Sequence, residues 1–191
     1  MNQDLVLLSF SDGAQCRPLT EMLESLVASE EFISDLRKYL AGYIPDTTLQ
    51  YKVLRIGGDC SSIASAMMMA KDKHFALAER HLQLSDEAFR MSGVIVERQE
   101  KLRKLENEHY ATLIAGEKGD ETPETISQLR LLADSSIDHV REQKRIVLDR
   151  LRDTWQPDDK GLALRTELLD ISYAKAKAMQ RYADHLEQKL K

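Results

Sequence analysis

Residues 85–155 read SDEAFRMSGVIVERQEKLRKLENEHYATLIAGEKGDETPETISQLRLLADSSIDHVREQKRIVLDRLRDTW. In the first half Met91, Ile95, Leu102, Leu105, His109 and Leu113 recur at steps of three, four or seven. In the second half Ile126, Leu129, Ala133, Ile137, Val140, Val147 and Leu151 do the same. Such a seam at heptad period belongs to two helices that pack on each other. Between them lies Gly116-Glu117-Lys118-Gly119-Asp120-Glu121-Thr122-Pro123. Gly116 is placed to end the first helix in a left-handed conformation. Thr122 is placed to cap the second, with Pro123 at its first position, where no N–H is needed. The pattern predicts an antiparallel coiled-coil hairpin, each arm about 30 residues and roughly 45 Å long.

The flanks are helical too. Leu19, Met22, Leu23, Leu26, Ile33, Leu36 and Leu40 make an apolar stripe after Pro18, closed by Gly42 and Pro45. Residues 4–10 are rich in Leu and Val and precede the turn signal Ser11-Asp12-Gly13, so a small N-terminal β element is expected. Leu49, Tyr51 and Val53 alternate, which offers residues 48–56 as its pairing strand, with a helical turn or two as the rival. Gly57-Gly58 is read as a break, with Asp59 capping a helix that runs from Cys60 to Ser92 with no obvious breaker. Gly93 is a second weak point. After Gln156-Pro157-Asp158-Asp159 a last helix shows two rows at sevenfold spacing. One is Leu162, Leu169, Ala176, Ala183 and Leu190; the other is Ser172, Met179 and Leu186. The fold class is therefore mainly α. Residues 1–84 form a helical N-terminal part, 85–155 the projecting hairpin, and 156–191 a C-terminal helix packed on one or the other.

Composition agrees with a helical protein: 42% hydrophobic, 31% charged and 6% aromatic residues, with eight glycines and four prolines among 191 residues. The net charge of −5 gives no overall attraction to nucleic acid or acidic lipid. Cys16 and Cys60 lack metal-ligand or secreted-scaffold spacing, so they are read as free thiols in the cytoplasm. The apolar run at 5–10 is too short to span a membrane and has no basic residue before it, unlike a signal peptide.

Candidate chemistry is thin. Glu106-x-x-His109 has the i, i+3 spacing of four-helix carboxylate metal sites, but no second copy exists. His74 and His81 are read as ordinary residues on a half-exposed face, too far apart for a zinc site on one helix. Cys60, beside Ser61 and Ser62, is read as packing, because Asp59 would raise rather than lower a thiol pKa. Gly57-Gly58 lacks the spacing of a phosphate loop. Met67-Met68-Met69 is read as core. No metal, cofactor or catalytic residue is assigned.

Function then rests on surfaces. The expected role is a non-enzymatic interaction, scaffold or adaptor protein that self-associates. Seam residues Ile95, Leu102, Leu105, Val140, Val147 and Leu151 would carry partner packing, and the tip from Glu117 to Glu124 would be an exposed contact. The alternative is an accessory nucleic-acid-binding factor. A hairpin turning near residue 119 gathers Arg98, Lys101, Arg141, Lys144 and Arg145 into one zone. Against this, Glu97, Glu100, Asp138 and Glu142 are interleaved there, and residues 86–155 hold 15 acidic and 12 basic side chains, a net of −3.

Overall fold

The structure, a computed structural model, describes residues 5–10, 13–40, 45–70, 73–119, 121–154 and 160–191. The class is helical: α1 (Leu19–Tyr39), α2 (Thr47–Met69), α3 (Phe75–Ala115), α4 (Pro123–Thr154) and α5 (Lys160–Lys189). Before α1 the backbone of residues 5–10 and 13–18 runs as an antiparallel pair, and its side chains, that of Cys16 included, lie outside the described residues. A pair this small does not change the class.

Residues 48–56 are helix, not the strand offered as an alternative. The reason lies upstream: Asp46 caps α2, accepting the Leu49 N–H at 2.7 Å, and the helix then runs through Gly57-Gly58. Asp59 is thus interior and caps nothing. Two helical glycines cost about 1 kcal/mol each relative to alanine. Gly57 offsets that cost by packing. A Cβ there would come within 3.2 Å of the Phe89 ring and 3.4 Å of Ala88. The Gly57 carbonyl also accepts the Ser85 hydroxyl at 2.8 Å. Gly58 has open space where a Cβ would go. Gly58→Ala should therefore stabilise the chain by about 0.5–1 kcal/mol, read from the midpoint of chemical denaturation.

The helix expected to start at Cys60 and run to Ser92 is interrupted after Met69. Ala70 is extended, and Lys73 takes a left-handed conformation at φ 43°. The local sequence contains no breaker. The reversal is set by packing, because α3 must return for Ala78 to join Met22, Ile63, Ala64, Ala66 and Met67 in one buried cluster. Beyond the turn, α3 passes through Ser85 and Gly93 without a break.

The chain divides into two compact units, residues 1–37 with 45–96 and residues 38–44 with 97–191. The division falls inside α3, at Val96–Glu97, and α5 falls in the same unit as α4. In the first unit α1, α2 and the beginning of α3 share the cluster just named, and Arg37 of α1 pairs with Glu87 of α3.

In the second unit the rest of α3, α4 and α5 share a core of Ile126, Tyr182, Ala183 and Leu186, with Tyr110, Leu113, Ile114 and Leu129 against it. Polar pairs fix the directions. Gln143–Arg165, Lys144–Asp170 and Asp134–Gln180 set α5 antiparallel to α4. Lys101–Glu167, Asn107–Arg181 and Glu117–Lys189 set it parallel to α3. On α4 the residues Ile126, Ala133, Val140 and Val147 are buried at sevenfold spacing, as the sequence indicates. On α5 the two predicted rows hold only partly: Ser172 and Leu190 are exposed. Instead Thr166, Asp170, Ala174, Ala178 and Tyr182 are buried at fourfold spacing. A helix covered by two neighbours buries a wider arc than a two-row seam.

The turn into α4 is built as expected from Thr122 and Pro123, with the Thr125 N–H donating to Thr122 Oγ1 at 3.2 Å. The left-handed residue is Gly119, at φ 80°, and not Gly116. The Gly116 N–H still closes α3 by donating to Thr112 and Leu113 carbonyls.

Candidate functional site

The five basic candidates on α3 and α4 are brought close to one another only in part, and each has a carboxylate within salt-bridge distance. Arg98 grips Asp170 with Nε at 3.2 Å and Nη2 at 3.0 Å, and Lys144 Nζ reaches the same carboxylate at 2.6 Å. All three side chains are largely withdrawn from water, at 13%, 7% and 5% exposure for Arg98, Asp170 and Lys144. Lys101 pairs with Glu167 at 3.2 Å. Arg141 pairs with Asp138, and Arg145 with Glu142 and Asp149 along α4. Burial lowers the Lys144 pKa and outweighs the opposing pull of Asp170. The interleaved acids on α4 account for Arg141 and Arg145. Asp170 and Glu167 escape sequence reasoning because they sit 72 and 66 residues beyond their partners, on α5, and no spacing rule links them. A phosphate backbone needs cations free to face it. Here the two most central ones are turned inward and spent on Asp170.

The apolar seam is also used internally. Ile95, Leu102, Val140 and Val147 are buried within this chain and Leu105 is half-buried; the side chain of Leu151 lies outside the described residues. A partner reaches the four buried ones only by displacing the residues already packed on them.

The tip is likewise tied down rather than free along its length. Glu117 accepts Lys189 Nζ at 2.6 Å and lies 3.8 Å from His185 Nε2. The Lys189 contact, first among several, lowers the Glu117 pKa. The Tyr182 hydroxyl donates to Glu121 at 3.1 Å. Burial and that bond push its pKa up to about 12. His185 stacks on Tyr182 and meets Tyr110 edge-on, each at 6.3 Å between ring centres. Lys118, Gly119 and residues 122–124 stay exposed. Asp120 lies outside the described residues.

The remaining candidates differ in their surroundings. Glu106 lies 3.9 Å from Arg181 in an ion pair, and His109 is half-buried. Among the described residues no group of three His, Cys, Asp or Glu side chains is placed to hold a metal. Cys60 is a buried free thiol, pushed up to about 11 mainly by burial. That holds it as the unreactive thiol. The methionine run divides: Met67 is core, whereas Met68 and Met69 are exposed. His74 is half-buried, but His81 is fully buried, against the expectation of a half-exposed face for both. Its position three residues after Ala78 and seven before Ala88 is the available signal.

What the surface does offer is leucine. Leu164 and Leu168, one turn apart on α5, are 59% and 56% exposed. Leu131 and Leu132 on α4 are 73% and 58% exposed. A recess of about 360 Å³ between α4 and α5 is lined by Arg130, Asp134, Gln180 and Asp184. Those four already pair with one another, Arg130 with Asp184 and Gln180 with Asp134. Among the described residues no helix is long and apolar enough to cross a membrane. No protein-family profile, no curated protein and no solved structure matches the chain.

Proposed function

We propose that the chain is a non-enzymatic interaction or scaffold protein of the cytoplasm that self-associates. Its coiled-coil hairpin is the pair α3 and α4, with α5 laid along both as a third strand. The observation that carries this reading is the pair Leu164 and Leu168 on the outer side of α5, with Leu131 and Leu132 as a second pair on α4. Covering a leucine fully is worth about 1.5–3 kcal/mol, and more than half of that gain is still available at each of the four. The contact surface is therefore the outside of the second unit and not the seam, which is occupied.

Light scattering across a micromolar concentration series tests this. The expected mass is at least twice the 21.8 kDa of one chain. A mass of one chain at every concentration would refute self-association. The nucleic-acid alternative requires a steep fall of affinity with salt. The pairing of Arg98 and Lys144 with Asp170, and of Lys101 with Glu167, argues against it.

A further inference from the structure

We propose that His81 is a proton-operated switch in the packing of the first unit, a neutral spacer when the helices are closed and a buried cation that opens them once protonated. His81 has 0% exposure, and among the described residues neither ring nitrogen has a hydrogen-bond partner. Buried polar atoms are normally paired, so this site is built for a ring that carries no charge. On α3 the ring stands in a buried row with Ala78, Ser85, Ala88 and Ser92. The others in that row are small, and Ser85 is committed to the Gly57 carbonyl.

Among the described residues, the groups around it offer no ready partner for a new proton. From α1 comes Glu30, whose carboxylate already accepts Arg80 Nε at 2.5 Å. On α2 the buried Cys60 thiol feels the same Glu30 carboxylate and stays neutral in the physiological range. On α3 itself the neighbour is Arg80, an exposed cation that holds Glu30. Burial lowers the pKa of His81, and Glu30 counters this only in part. Above about pH 6.5 closed and open forms both hold a neutral ring, and packing is at full strength. Below it the open form takes up a proton that the closed form refuses, so the opening constant rises by up to about tenfold per pH unit.

The test uses the full chain. Histidine ring resonances and amide hydrogen exchange, corrected for intrinsic rates, are followed from pH 7.5 to 5. The closed form should show a His81 ring that does not titrate, while first-unit amides open about fivefold more often at pH 5.5 than at 6.5. His81→Gln and His81→Leu should remove that rise, and His109→Gln, in the second unit, should leave it. A His81 ring that titrates while exchange stays constant would overturn the proposal, as would variants that keep the wild-type pH dependence. If neither variant folds, the ring titration and exchange of the wild type decide the matter alone.

Discussion

Asp170→Asn should destabilise the second unit by about 3–5 kcal/mol, measured by chemical denaturation followed by helical circular dichroism. The substitution keeps the shape and removes the charge. What remains is Arg98 and Lys144 held beside each other, largely out of water, with their shared carboxylate gone. Removing one partner of a buried ion pair is among the costliest single changes because it leaves uncompensated charge out of water. The two cations are not equivalent. Arg98 makes the two-pronged contact, which matches a carboxylate's geometry. Lys144 adds a second positive charge whose desolvation outweighs its attraction to Asp170. Lys144→Met should therefore be close to neutral or stabilising, while Asp170→Asn is severe. Equal losses from the two substitutions would mean that Lys144, not Arg98, sets the geometry of the cluster.

Leu186→Ala should cost about 2–5 kcal/mol, and Leu190→Ala, four residues on, almost nothing. Both leucines belong to the predicted apolar rows of α5. Leu186 is 2% exposed and joins Ile126, Tyr182 and Ala183 in the core. Leu190 lies past the end of the helix and is 53% exposed. Losing the Leu186 side chain opens a cavity among three helices, whereas Leu190 has little burial to lose. Thermal denaturation of the two variants in parallel distinguishes the observed burial from the sevenfold pattern, which treats the two as equal.

Period and capping are legible in the sequence, and partners are not. The α4 face of Ile126, Ala133, Val140 and Val147, and the Thr122-Pro123 start, follow from local rules that need only neighbouring residues. Gly57-Gly58 looks like a break until Phe89 is known to lie across Gly57. The reversal after Met69 is hidden for the converse reason, since only the return of Ala78 to Met67 requires it. Charge is the least legible. Arg98 and Lys144 look like a surface patch when only α3 and α4 are considered, and Asp170 changes their meaning from a third helix. His81 is hidden in the same way, because full burial depends on what α1 and α2 bring over it.

Among the described residues of the second unit, Leu131, Leu132, Leu164 and Leu168 are the most exposed large apolar side chains. The decisive measurement is the mass, by light scattering, of a Leu164→Ser/Leu168→Ser variant against wild type at matched micromolar concentrations. Self-association should weaken by about tenfold or more, with helicity and thermal midpoint unchanged, since both side chains are more than half exposed within one chain. A variant that associates as tightly as wild type would contradict the assignment of this face.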